Sequence, residues 1–194
     1  MDIFGLLAEN FDLPILHWIA DNLHCEFLDF LMPIITLFGE AGIFWIATAL
    51  VLILIPKTRR MGLGMGVALL IGLILCNLTL KPLCARIRPY DYELLHYGTE
   101  IKLLVEALHD YSFPSGHTIA SFECTAVILM HNKKWGIAAM VLAVLIAFSR
   151  LYLYVHYPTD VLTSIVLGIG IAFLGNWLAQ KGYDLCADRL RKKA

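Results

Sequence analysis

Three short stretches far apart in the chain carry side chains able to do phosphoryl chemistry: KPLCARIRP at 81–89, PSGH at 114–117 and SRLYLYVHYPTD at 149–160. His156 stands four residues before Asp160, with Pro158 between them at a first helical position. That spacing lets Asp160 accept a hydrogen bond from one ring nitrogen and leaves the other lone pair free, as a nucleophilic or basic histidine requires. His117, from another helix, could protonate a departing oxygen. Lys81, Arg88 and Arg150 supply positive charge across the physiological pH range, the arginines as bidentate forks and the lysine as a point charge. Ser115-Gly116 opens an apolar helix after Pro114, where serine caps, glycine admits close approach to the backbone, and free N–H groups favour an anion. Together the set could clamp a phosphate and stabilise its developing negative charge without a metal.

Each part has a plainer role when taken alone. Ser-Gly before a helix is often a simple cap, a Lys or Arg at the end of a span snorkels to headgroups, and His156 with Asp160 could be an interfacial polar pair. The case rests on elements that bring the three stretches together, and the apolar pattern supplies them. Of the 194 residues 59% are hydrophobic and 16% charged, outside the range of ordinary soluble proteins. The chain reads as an all-α integral membrane protein, one domain over 1–194. Apolar runs at 42–56, 61–80, 115–130, 135–154 and 160–178 are expected to span, and a shorter run at 25–38, containing Asp29 and Pro33, is expected to be a sixth span. Ile3, Leu6, Leu7, Phe11, Ile15, Trp18 and Ile19 mark an N-terminal amphipathic segment lying on the membrane. Between the third and fourth spans, Ile101, Leu104, Val105 and Leu108 have the spacing of an interfacial helix.

Charge sets the orientation. The clusters Lys57/Arg59/Arg60, Lys133/Lys134 and Lys181/Arg189/Arg191/Lys192/Lys193 hold ten of the 15 Lys and Arg residues and fall on one side of a six-span bundle, so that side is expected to be cytoplasmic. Lys81, Arg86, Arg88, Lys102 and Arg150 fall at or near the opposite face, with all three chemical stretches. Asp2, Glu9, Asp12 and Asp21 interrupt the first apolar residues, which argues against a cleaved signal peptide.

Several other readings are set aside. A net charge of -1 argues against a nucleic-acid partner. His17, His24, His96, His109 and His131 have no companion ligands at zinc spacing, so no metal site is expected. The five cysteines fall at no ligand spacing and read as small hydrophobes. Glu123, about two turns below His117, could line a lower pocket or be a hydrogen-bonded structural group, and Asp29 is a second carboxylate in an apolar stretch. Trp18, Trp45, Trp135 and Trp177 are expected to anchor span ends.

The three stretches resemble the signature K-x6-R-P, P-S-G-H and S-R-x5-H-x3-D of the type 2 phosphatidic acid phosphatase and vanadium haloperoxidase superfamily, with every spacing met. The six-span pattern is similar to that of its membrane branch. The resemblance implies a metal-independent phosphatase without cofactor, in which His156 attacks phosphorus to give a phosphohistidine and Asp160 orients it. His117 is the implied general acid; Lys81, Arg88, Ser115, Gly116 and Arg150 hold the phosphate. The implied substrate is a membrane lipid phosphate or diphosphate, with undecaprenyl diphosphate, phosphatidylglycerol phosphate and phosphatidic acid as candidates and an isoprenyl diphosphate favoured. The expected setting is a bacterial plasma membrane, multi-pass, with the site on the extracytoplasmic face. A lipid phosphotransferase using the same phosphohistidine is the alternative. A transporter or flippase is disfavoured because the cations gather at one end and no repeat is visible.

Overall fold

The computed structural model describes residues 3–191; Asp2, Lys192 and Lys193 lie outside the described residues. Among those described the chain is all helical, with no strand. In chain order the helices are α1 (Ile3–Leu7), α2 (Leu13–Leu23), α3 (Glu26–Leu37), α4 (Ile43–Leu54), α5 (Arg59–Gly72), α6 (Lys81–Cys84), α7 (Pro89–Tyr97), α8 (Gly116–His131), α9 (Lys133–Tyr152) and α10 (Pro158–Arg191). A π-helical stretch at Ala8–Asp12 joins α1 to α2, and another at Leu73–Leu80 carries α5 to Lys81.

Helix α8 is the centre of the bundle. It is buried on all sides from Ser121 to Ile128 and packs against α5, α9 and α10. Small residues allow such close approach where dispersion rather than water drives packing. At Gly175 on α10, for example, a Cβ would stand 2.7 Å from the Ala68 backbone of α5. The outward faces are apolar: Leu54 and Val166 are more than two-thirds exposed, as lipid contact requires.

Among the described residues four helical stretches, 26–54, 59–97, 133–152 and 158–189, are long and apolar enough to cross a membrane. The expected six-span bundle is therefore met only in part. The first stretch breaks at Gly39–Gly42, where Ala41 and Gly42 take positive φ. Its halves, α3 and α4, have 12 residues each, about 18 Å against a hydrocarbon core of about 30 Å, so position and not length sets α3 apart. Both of its ends meet the last turn of α9, for the Tyr152 hydroxyl donates to Asp29 at 2.5 Å and Arg150 donates to Thr36 at 2.5 Å. The run at 25–38 thus lies across one end of the bundle instead of spanning it. Asp29 and Pro33, each costly in lipid, fit that placement.

The segment at 3–23, expected to be an amphipathic stretch, is helical, with part of its apolar set outward and a carboxylate inward. Ile3, Leu6, Phe11 and Trp18 face outward, while Ala8, Asp12, Leu16 and Ile19 are buried against the bundle. The expectation of an interfacial helix at 101–108 is not met. The helix in that connection is α7, started by Pro89 and stopped by Gly98 with φ 67. Residues 101–108 stay irregular because Leu103, Leu104, Val105 and Leu108 pack separately onto the core and the Tyr90 hydroxyl holds Leu108 by both backbone groups. Trp45 is a further correction, being buried rather than an interface anchor; it donates to Ser121 Oγ at 3.1 Å. Trp18, Trp135 and Trp177 are exposed.

Candidate active site

All eight residues singled out from the sequence come to one end of the bundle. Lys81 follows the π-helical end of α5, Arg88 immediately precedes α7, Ser115 stands at the N-cap position of α8 without a side-chain capping bond, Gly116 and His117 are in its first turn, Arg150 is in the last turn of α9, and His156 precedes Asp160 of α10. The turn from α9 to α10 is fixed by the backbone: the N–H groups of Val155 and His156 both donate to the carbonyl of Arg150, and Tyr154 takes φ 59.

His156 is 1% exposed and its two nitrogens face different neighbours. Nε2 lies 3.4 Å from Arg88 Nη1, on the side of the cations. Nδ1 lies 3.6 Å from Asp160 Oδ2, too long for a hydrogen bond but on the side expected of an orienting carboxylate. Burial, then Arg88, Arg150 and Lys81, push the imidazole well below its usual range, so it stays neutral and keeps a lone pair. Arg88 also donates to the Val155 carbonyl at 2.7 Å and thereby braces the His156 turn.

His117 lines the same cavity with Nε2 3.3 Å from the Glu40 carboxylate. Its backbone carbonyl accepts from Ser121 Oγ, which accepts in turn from Trp45. Ser115 is fully buried: its N–H donates to Ser164 Oγ at 2.8 Å and its Oγ accepts from Thr118. Arg150 is 2% exposed, and its Nε has no hydrogen-bond partner among the described residues. A buried guanidinium left short of acceptors is a place for an anion.

The cavity holds about 550 Å³ and changes character along its length. Lys81, Arg88, Arg150, His117 and His156 form one end; Leu50, Ile53, Leu69 and Leu70 line the other, between α4 and α5. A phosphate held at the first end has room for an apolar tail at the second. Glu123 borders this cavity, 1% exposed, and its Oε2 has no hydrogen-bond partner among the described residues.

Sequence reasoning missed Asp110. Its carboxylate accepts from both Lys81 Nζ and Arg88 Nη2, as a phosphate would, and its backbone carbonyl accepts from Arg88 Nε at 2.9 Å. Partial burial would raise the carboxyl, but the hydrogen bonds from Lys81 and Arg88 win and hold it at about 2. Nothing in the apolar pattern distinguishes Asp110 from other acids of the connection; only the folded path of 98–115 brings it in. Arg86 and Asp12 were also passed over as site residues, and both join Asp160 in a buried network. No group of three or more metal-ligating side chains occurs among the described residues.

A transmembrane helical bundle with a cationic, two-histidine cavity at one end defines the class. The PAP2 superfamily model matches residues 60–183, and the chain belongs to that superfamily. It is 30% identical over 156 residues to an undecaprenyl-diphosphatase of Sulfolobus acidocaldarius, covering 80% of this chain and 72% of that protein. It is 31% identical over 183 residues to phosphatidylglycerophosphatase B of Bacillus subtilis, covering 88% and 75%. The crystal structure of a transmembrane PAP2 type phosphatidylglycerolphosphate phosphatase from Bacillus subtilis superposes with a TM-score of 0.68 at 26% identity, over 92% of this chain and 90% of that one.

Proposed function

We propose that this protein is a membrane lipid phosphatase, a single domain over 1–194, that removes phosphate from a lipid phosphate or diphosphate through a phosphohistidine at His156. The observation that carries the reading is a buried His156, its Nε2 3.4 Å from Arg88 in a cavity that Lys81 and Arg150 also line, joined to an apolar extension of that cavity. In the first step the Nε2 lone pair forms the N–P bond as the bond from phosphorus to the lipid oxygen breaks, and His117 gives that oxygen its proton. Lys81, Arg88, Arg150 and the Gly116 backbone N–H hold the equatorial oxygens, the Ser115 N–H being taken by Ser164 Oγ. Water, deprotonated by His117, then attacks phosphorus, cleaves the N–P bond and releases inorganic phosphate.

The named relatives put undecaprenyl diphosphate and phosphatidylglycerophosphate first among substrates to try, with phosphatidic acid beside them. We place the site on the extracytoplasmic face. In support, Arg60 pairs with Asp184 at 2.5 Å and its carbonyl accepts from Gln180, so two of the three basic clusters meet at the end opposite His156. Loss of α3 as a crossing removes one span before α4 and leaves that assignment unchanged.

The test is phosphate release by the purified protein in detergent or nanodiscs from a panel of these lipids, with and without EDTA. Release that survives the chelator and is inhibited by vanadate is expected, because three fixed cations stand where a metal would. Activity lost with EDTA and restored by magnesium would refute the mechanism; transfer of phosphate to an added alcohol with little release would turn the reading to a phosphotransferase.

A further inference from the structure

Asp12, on the N-terminal helical segment, is fully buried, and Arg86 is 4% exposed. Arg86 is a two-pronged link: Nη1 donates to Asp160 Oδ1 at 2.5 Å and to Thr159 Oγ1 at 2.8 Å, while Nη2 donates to Asp12 Oδ2 at 2.6 Å. Asp12 closes the loop by accepting from the Thr159 N–H at 2.8 Å and from its hydroxyl at 2.7 Å. The guanidinium is held in plane between the rings of Tyr157, at 3.8 Å, and Phe4, at 4.9 Å. Its Nε has no hydrogen-bond partner among the described residues, so the fork makes its bonds at its two ends.

The charges in this network have a consequence for His156. Arg86 with Asp160 alone is neutral, and a neutral pair offers little to a ring that is becoming positive. Asp12 restores one net negative charge behind Asp160. When the N–P bond forms, the ring keeps its proton on Nδ1 and takes on imidazolium character, facing Asp160 Oδ2 at 3.6 Å. On the other side of the ring Arg88, Arg150 and Lys81 are positive and oppose that change, while Asp110 favours it.

We propose that Asp12 is a positioning residue for the phosphoryl transfer: through Arg86 it holds Asp160 in place and keeps net negative charge on the Nδ1 side of His156. The proposal rests on the phosphatase reading for its kinetic consequence and on the network alone for its effect on the ring. The N-terminal segment is then part of the working site, because it delivers a buried charge to the catalytic histidine.

The experiment uses the full chain in nanodiscs with ¹⁵N-labelled histidine, the His156 signals being assigned by their loss in His156→Ala. In the wild type the proton is expected on Nδ1. Asp12→Asn keeps the shape but removes the charge; it is expected to raise the population protonated on Nε2 and to lower kcat about 10- to 100-fold, the range for losing an outer partner of a histidine-orienting carboxylate, with KM within about two-fold. Asp12→Glu should keep the Nδ1 proton and most of kcat. A purely structural role would lower thermal stability in Asp12→Asn without changing the tautomer, and an unchanged tautomer overturns the proposal. If Asp12→Asn does not insert, Asp12→Glu decides, since a shift of its proton to Nε2 also overturns it. A wild type that releases phosphate from no lipid of the panel sinks the phosphatase reading, while the ring signals still decide the role of Asp12.

Discussion

Replacing Gly39 by Ala should disable His117 without touching any charged group. Gly39 has φ -98 and ψ -9, which alanine adopts freely, so the substitution carries no backbone strain. The cost is contact: the new Cβ would stand 2.7 Å from His117 Cδ2, 2.9 Å from Ile146 Cγ2 and 3.1 Å from His117 Cβ. Carbon atoms pack best at about 3.5–4.0 Å, so about 1 Å must be found. Ile146 is fully buried in the core and has nowhere to go, whereas the His117 side chain is 12% exposed and borders the cavity. The ring is therefore the group that moves. A displacement of about 1 Å in a reacting group costs about 100-fold in rate, or about 2.7 kcal/mol of barrier. The assay is steady-state phosphate release from the best lipid of the panel, alongside an activated aryl phosphate whose leaving group needs no proton. Gly39→Ala should lose about 100-fold in kcat on the lipid and far less on the aryl phosphate, with the thermal midpoint little changed. A loss of under three-fold on the lipid, or an equal loss on both substrates, would refute the assignment of His117 as the acid.

His156→Ala should abolish turnover while the protein remains folded and inserted, which phosphate release and size-exclusion profiles check together; substantial residual activity would rule out the phosphohistidine. Asp110, held at about 2 by Lys81 and Arg88, gives the folded state stability that is fully present above the ordinary carboxylate range and lost as pH falls towards 2. Thermal melts of wild type and Asp110→Asn should accordingly differ at pH 7 and converge as pH falls below 4; curves that stay parallel would mean that the bridge is absent in solution. Asp110→Asn should also bind vanadate more tightly, since the carboxylate no longer occupies both cations. In intact cells a membrane-impermeant thiol reagent should reach a cysteine placed at Thr99 more readily than one placed at Asn132, and the reverse pattern would put the chemistry in the cytoplasm.

The sequence by itself determined the membrane character and the set of groups that gather at one end of the bundle, because lipid tolerates few charges and those at 81–88, 115–117 and 150–160 recur at the ends of apolar runs on the same side. Helices α5, α8, α9 and α10 were legible for the same reason: a buried or lipid-facing helix needs a long apolar run, whatever its neighbours are. The path of the chain across the His156 end of the bundle was not legible. The run at 25–38 has the composition of a span, and only the bonds of both its ends to the last turn of α9 fix it along that end. The 3.6-residue spacing at 101–108 marked apolar contacts correctly but not a helix, since separate core sites and the Tyr90 hydroxyl outweigh local periodicity there. Asp12, Arg86 and Asp110 join these residues through partners 22 to 147 residues away. Pairings at that range leave no local pattern, so tertiary structure alone decided which carboxylates stand behind His156 and which one pairs with Lys81 and Arg88.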